Sequence, residues 1–198
     1  GVVITASHNP PEYNGFKICN GQLPMAGKEL QDLKETFDKK EFREGNGIVK
    51  DCSDFEKLYL ETIVSNAGKP KRKMKIAIDC GNAVPGPLTI RLMEKLGVEL
   101  IPVHCNWDNK FPNHPPDPTR PENMTDLSKA VVENNAEFGI GMDGDGDRIG
   151  VLDSNGSLIS GDKLLLLYAL QLLKEKPGAK IIADVKASSI IFNEINKF

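Results

Sequence analysis

Short apolar runs alternate with amphipathic stretches along this chain, an arrangement that predicts strands followed by helices. Apolar runs indicate strands at Val2–Thr5, Lys75–Asp79, Val98–His104, Phe138–Met142 and Ala179–Val185. Apolar positions recurring about every 3.6 residues indicate helices over Lys28–Phe42, Asp54–Ala67, Pro87–Leu96, Met124–Asn134 and Asp162–Lys174. Because strands and helices alternate, we expect an α/β fold of mixed, mainly parallel sheets flanked by helices.

Turn and capping signals mark where some of these elements begin or end. Ser53 followed by Glu56 has the spacing of a capping box, so it predicts the start of the second helix. Gly68 follows that helix and is positioned to end it. Asn155-Gly156 lies between two apolar stretches and predicts a tight hairpin turn.

Composition and charge argue against several classes of function. The 198 residues are 39% hydrophobic and 27% charged, an ordinary globular balance. A net charge of −3 and the lack of basic clusters interleaved with aromatic residues make nucleic acid an unexpected partner. The longest apolar stretch, Leu164–Leu173, falls well short of the ~20 residues that cross a bilayer, so no membrane span is expected.

Cysteine usage and the two ends of the chain give further expectations. The four cysteines are widely spaced without a CxxC pair, which favours reduced thiols and a cytoplasmic location. The first residues do not resemble a signal peptide. Only Gly1 precedes a core-like strand, and a helix-like stretch runs to Phe198, so we expect the chain to be a fragment cut at both ends.

The segment TASHNPPEYNGFK places groups suited to phosphoryl transfer on one strand-to-loop connection. Ser7 can accept a phosphoryl group, while His8 and Lys17 supply positive charge and proton donors. The alternative is a polar loop held by Asn and Ser turns. A serine hydrolase is not favoured, because the GxSxG elbow is absent.

The segment GMDGDGDR crowds Asp143, Asp145 and Asp147 into one turn directly after a strand. Three carboxylates at this spacing repel one another unless a cation neutralises them, and hard oxygen ligands suit Mg²⁺ or Ca²⁺. The alternative is an exposed acidic turn without a metal. An EF-hand is excluded because the sixth and twelfth positions hold Arg148 and Ser154. The GxGxxG spacing here leads into an acidic turn, which excludes a dinucleotide site.

Five segments in fixed order carry a resemblance that covers the whole chain: TASHNPPEYNGFK, IDCGNAVPG, FPNHPPDPTRPEN, GMDGDGDR and DVK. In this order the chain resembles the α-D-phosphohexomutases, and most closely their bacterial phosphomannomutase/phosphoglucomutase branch. The resemblance implies repeated α/β domains, here residues 1–52 as the end of a first domain with the phosphoserine loop, 53–157 as a second domain with the metal loop, and 158–198 as the start of a third.

The resemblance also implies a reaction. A phosphoryl group would move reversibly between C1 and C6 of mannose or glucose phosphate through a phosphoserine and a 1,6-bisphosphate. A phosphoglucosamine or phosphopentose mutase is the alternative within this class, and a metal-binding module without turnover is the alternative outside it. The partner implied is a hexose phosphate; the oligomeric state is left open.

Residue roles follow from the matching positions. Ser7 would carry the phosphoryl group, with Lys17 as general acid and base and His8 assisting. Arg148 and Lys186 would contact the substrate. The metal would be Mg²⁺, held by one oxygen of the phosphorylated serine and by the three aspartates of the acidic turn, Asp143, Asp145 and Asp147.

One position departs from the pattern. Some relatives carry a basic residue three positions after the lysine of DVK, where this chain has Ser189. A charge contact at that position is therefore not expected here.

Overall fold

A computed structural model describes residues 1–52 and 54–197 as a mixed α/β structure. Its strands are β1 (Val2–Ile4), β2 (Phe16–Asn20), β3 (Leu23–Pro24), β4 (Lys75–Asp79), β5 (Glu99–Val103), β6 (Phe138–Met142), β7 (Ile149–Leu152) and β8 (Leu158–Ile159). Its helices are α1 (Lys28–Lys39), α2 (Asp54–Ala67), α3 (Pro85–Leu96), α4 (Thr125–Glu133), α5 (Gly161–Glu175) and α6 (Ser189–Ile195), and a short 3₁₀ turn (Pro121–Met124) precedes α4.

The first three strands form a small antiparallel sheet that leads into α1. Val2 pairs with Ile18 and Ile4 with Phe16, so β1 and β2 enclose the loop between them. The helix ends three residues earlier than its apolar pattern predicts. Lys40 adopts a left-handed conformation (φ 57°), and its N–H bonds to carbonyls of the last turn, which closes the helix.

The larger sheet has the strand order β5-β4-β6-β7-β8. β4 pairs in parallel with both β5 and β6, and the crossover from β4 to β5 runs through α3. β6, β7 and β8 continue the sheet as antiparallel hairpins. The expected α/β class with helix-flanked mixed sheets is confirmed. Parallel pairing is confined to β5, β4 and β6 on one side of the larger sheet, two of the six described strand pairs, because short turns join the later strands.

Alternation along β4 builds a core on each face of the sheet. Ile76 and Ile78 point to the face covered by α3, where Ile90 and Met93 pack against them. Ala77 points to the opposite face, which is covered by α4. The fold is therefore helix, sheet and helix in three layers, with a continuous apolar strand at the centre.

Two adjacent valines of α4 test the importance of this second core. Val131 is fully buried, whereas Val132 is 51% exposed. We expect Val131→Ala to lower the free energy of unfolding by about 2 kcal/mol, because it removes two buried methyl groups and leaves a cavity. Val132→Ala, the control on the same helix, should change it by less than about 0.5 kcal/mol. Urea titration measures both, and equal effects would contradict the assigned burial.

The structure tests one turn prediction and one strand prediction. The hairpin at Asn155-Gly156 is confirmed, since it joins the paired strands β7 and β8 and Gly156 has a φ of 74°. The strand predicted at Ala179–Val185 is wrong. Ile182 is 90% exposed and Val185 94% exposed, and no described strand lies beside them to supply a partner. The capping box at Ser53 lies outside the described residues.

None of the helices in residues 1–52 and 54–197 combines the length and apolar character needed to cross a membrane.

Candidate active site

The acidic turn lies at the carboxyl edge of the larger sheet, directly after β6. Its two ends are tied together: the Asp143 N–H donates to the Arg148 carbonyl at 3.2 Å, and the Arg148 N–H donates to Asp143 Oδ1 at 3.0 Å. Asp143 itself is fully buried. The turn therefore holds its carboxylates in place without help from a ligand.

The Ser7 loop is shaped by the small sheet. The Thr5 N–H donates to the Gly15 carbonyl at 2.9 Å, which closes the loop where β1 ends and β2 begins. Ser7 follows with a φ of 54°, a left-handed conformation that is uncommon for a residue other than glycine. Its N–H donates to Thr5 Oγ1 at 3.0 Å. Strained backbone of this kind is often found at functional sites.

The two loops meet backbone against backbone. A Cβ atom on Gly144 would lie 1.8 Å from the Ser7 carbonyl oxygen, so only glycine permits the approach. At this contact Ser7 Oγ donates to Asp143 Oδ2 at 3.0 Å, across 136 positions of sequence. The serine predicted to carry phosphate thus touches the first aspartate predicted to hold metal.

His8 and Arg148 lie on the other side of the serine. His8 Nδ1 is 3.2 Å from Ser7 Oγ and 3.0 Å from Arg148 Nη1. A guanidinium only donates hydrogen bonds, so Nδ1 must be the acceptor and the ring proton belongs on Nε2. Ser7 Oγ therefore donates to Asp143 Oδ2 and lies within reach of His8 Nδ1, whose lone pair accepts from Arg148 in this arrangement.

Lys17 approaches the acidic turn from β2. Its Nζ is 3.0 Å from Asp145 Oδ2 and 3.5 Å from Asp147 Oδ2. The hydrogen bond to Asp145 and the charge of that carboxylate raise the pKa of Lys17, so the side chain is held as an ammonium ion. Thr5 Oγ1 also donates to Asp145 Oδ2, at 3.0 Å.

The three aspartates fit a divalent cation. One oxygen from each lies within 4.8 Å of the other two. Asp145 Oδ1 is buried and has no hydrogen-bond partner among the described residues, which leaves a carboxylate oxygen available as a ligand. Burial and the nearby Asp145 and Asp147 charges raise the pKa of Asp143. For Asp145, burial is outweighed by donors such as Lys17 and Thr5, which lower its pKa.

A cleft of about 400 Å³ opens beside the two loops. Its wall includes Ser7 and Asp145 from the site, and Trp107 and Phe111 from the segment after β5. This volume is within the range of small-molecule sites, about 300–1,000 Å³. An aromatic wall next to charged groups can accept a polar ligand with a carbon skeleton.

Lys186 lies apart from these contacts. Its N–H donates to Asp184 Oδ1 at 2.8 Å, and its side chain lines a separate hollow at the start of α5, with Asp162 and Leu165. In residues 1–52 and 54–197, no hydrogen bond or ion pair joins Lys186 to the Ser7 loop or the acidic turn. Seven of the eight predicted residues are therefore brought together: Ser7, His8, Lys17, Asp143, Asp145, Asp147 and Arg148.

Two residues of the site escaped the sequence analysis. Thr5 orders both the serine backbone and Asp145, and Gly144 permits the contact between the loops. A signal for Thr5 was present, because a residue two positions before Ser7 on an extended strand shares its face. Nothing in the neighbouring sequence indicates that position 144 must be glycine, because the backbone that excludes a side chain there belongs to the distant Ser7 loop.

Two family models match this chain, one over the Ser7 loop and one over the acidic turn. The family model described as phosphoglucomutase/phosphomannomutase, alpha/beta/alpha domain I matches residues 1–44, and that for domain II matches residues 57–156. A phosphomannomutase/phosphoglucomutase of Pseudomonas aeruginosa is 43% identical over 188 residues, covering 95% of this chain and 40% of the relative. A phosphoglucomutase of Neisseria meningitidis is 44% identical over 195 residues, covering 96% and 42%.

A solved structure agrees with these relatives. The crystal structure of a phosphoglucomutase/phosphomannomutase family protein from Burkholderia thailandensis superposes with a TM-score of 0.92 at 39% identity, covering 99% of this chain and 42% of that one. The chain thus spans about 40% of the length of the curated relatives it matches. On these matches, which extend over more than half of its residues, the chain belongs to the phosphoglucomutase/phosphomannomutase family.

Proposed function

We propose that this chain is the phosphoryl-carrying and metal-binding part of a hexose phosphate mutase. The whole enzyme would move a phosphoryl group between C1 and C6 of glucose or mannose phosphate through a phosphoserine and a 1,6-bisphosphate. One observation carries the proposal: Ser7 Oγ lies 3.0 Å from Asp143 Oδ2 within a strained loop beside a small-molecule cleft. The names of the relatives supply the substrate class.

The side chains around Ser7 suit transfer in both directions. When Ser7 Oγ accepts a phosphoryl group, its proton can pass to His8 Nδ1, whose lone pair becomes free once Arg148 turns to the phosphate oxygens, and it returns when Ser7 donates that group to a sugar hydroxyl. Lys17, held as an ammonium ion, is assigned as general acid for the sugar oxygen, and it can act as general base after it has given up that proton. Arg148 is assigned to the phosphate oxygens, which its planar guanidinium can bind in pairs.

Charge balance supports a divalent metal in the acidic turn. Three carboxylates and two permanent cations, Lys17 and Arg148, leave one negative charge, which would repel an anionic substrate. Bound Mg²⁺ would bring this sum to one positive charge before the charge of the phosphoryl group is counted, so it would offset part of that charge and stabilise the transferring group. The three aspartates and one oxygen of phosphorylated Ser7 would hold it. The protein's own contribution is to fix these oxygens in advance.

Further assignments rest on the family. We assign residues 1–52, 53–157 and 158–198 to three successive domains, and Lys186 to the substrate in the assembled enzyme. A cytoplasmic location is proposed because the four cysteines are free thiols.

The 198-residue chain alone should bind metal without interconverting hexose phosphates. A bisphosphate must be held at either end in turn while its other end meets Ser7, and positioning of this kind contributes about 7–11 kcal/mol in favourable cases. The chain covers about 40% of its relatives, so most groups that could grip the distal end lie elsewhere in them. A coupled assay on glucose, mannose and glucosamine 1-phosphates, run beside a full-length relative, measures this. Turnover within about tenfold of the relative would contradict the prediction.

A further inference from the structure

A second group of metal-ligating side chains lies at the same sheet edge, outside the site described above. Asp79 ends β4, His104 follows β5 directly, and His114 comes from the proline-rich loop. One ligand atom of each lies within 4.8 Å of the other two. The side chain of Asp79 is 2% exposed and that of His114 16% exposed, so the group is sheltered yet reachable by an ion.

The hydrogen bonds show how each imidazole could take an ion. His114 donates from both ring nitrogens, from Nδ1 to the Pro115 carbonyl at 2.9 Å and from Nε2 to Asp79 Oδ2 at 3.1 Å, so a cation bound at Nε2 would replace that proton. His104 Nε2 is 3.1 Å from Asp126 Oδ2, so the proton belongs on Nε2 and Nδ1 is left without one. Histidines that bind metals usually donate their other ring N–H to a carboxylate or carbonyl, as both would here.

The distances also suit a metal ion. His114 Nε2 and Asp79 Oδ2 are 3.1 Å apart. A tetrahedral zinc site with bonds of about 2.0–2.1 Å separates its ligand atoms by about 3.3 Å, so this pair is already close to the required spacing. The two imidazole rings lie edge to face with centroids 5.4 Å apart, so His104 offers a further nitrogen beside this pair.

We propose that Asp79, His104 and His114 form a binding site for Zn²⁺ or a similar nitrogen-preferring divalent cation. Two imidazoles and one carboxylate favour such ions over Mg²⁺, which prefers oxygen ligands. The site is distinct from the all-carboxylate turn. A bound ion would tie the proline-rich loop to the ends of β4 and β5, where Pro116 packs against Gly81.

The test is Zn²⁺ binding to the chelator-treated chain in excess Mg²⁺, which occupies the acidic turn. We expect one retained equivalent of Zn²⁺, and the strong visible absorption of four-coordinate Co²⁺ when Co²⁺ replaces it. His104→Gln should weaken Zn²⁺ binding at least about tenfold. Asp126→Asn, which keeps all three proposed ligands and alters the partner of His104 and Lys129, should weaken it about 10–100-fold. Asp145→Asn, a control in the acidic turn, should leave this equivalent in place.

Unchanged Mg²⁺ binding and circular dichroism of His104→Gln will show that the variant is folded. Equal Zn²⁺ affinity in the unaltered chain and His104→Gln would overturn the proposal, as would Zn²⁺ that is lost in Asp145→Asn and kept in His104→Gln. No retained Zn²⁺ at all would mean that the group is an ion pair only.

Discussion

Ser7→Ala in the full-length enzyme should lower turnover of hexose phosphates by at least about 10³-fold, because it removes the atom that carries the phosphoryl group. The variant should also lack the mass increment of one phosphoryl group that the active enzyme carries. Alanine tolerates the left-handed conformation at this position about as well as serine does, so the fold should survive. Coupled kinetics and intact-protein mass spectrometry measure the two effects.

A second serine variant serves as the control, because it removes a hydroxyl group far from the proposed site. Ser65 lies on α2 and is exposed, so Ser65→Ala should retain both turnover and the phosphoryl group. Near-normal activity of Ser7→Ala without any phosphoprotein would rule out Ser7 as the carrier. Loss of activity with the phosphoryl group still present would place the carrier at another residue.

The sequence predicted well those helices and strands whose apolar pattern lies within the element itself. β4, β6 and α2 have the bounds that their apolar patterns indicate. The acidic turn was predictable for the same reason, because its three carboxylates and their crowding lie within five consecutive residues. Local pattern and local chemistry are both visible without knowledge of the fold.

Features that depend on distant partners were not predictable in this way. Ala179–Val185 has a strand-like composition, but a strand requires a neighbour, which composition does not reveal. The approach of Ser7 to Asp143 spans 136 positions, and only resemblance to a family placed them together beforehand. His114 lies in a proline-rich loop and Asp79 at the end of a predicted strand. No pattern in the sequence links these two segments, so only the structure shows that the two residues pair.

Asp145→Asn should cause a large loss of Mg²⁺ binding. The substitution keeps the shape of the side chain but removes a charge, and its buried Oδ1 has no other partner among residues 1–52 and 54–197. We expect Mg²⁺ affinity to fall at least about tenfold, and similar changes for Asp143→Asn and Asp147→Asn. Isothermal calorimetry measures the affinity directly.

Thermal or urea unfolding gives an independent readout, because a ligand stabilises the folded state by RT ln(1 + [L]/Kd). At a Mg²⁺ concentration of about 100 Kd, the unaltered chain should gain about 2.7 kcal/mol. After a tenfold loss of affinity the gain falls to about 1.4 kcal/mol at the same concentration. Asp153→Asn is the control, because Asp153 accepts bonds from the hairpin N–H groups of Asn155 and Ser157 and lies outside the acidic turn. It should alter stability without altering the response to Mg²⁺. Unchanged affinity in all three turn variants would mean that these aspartates do not hold the metal.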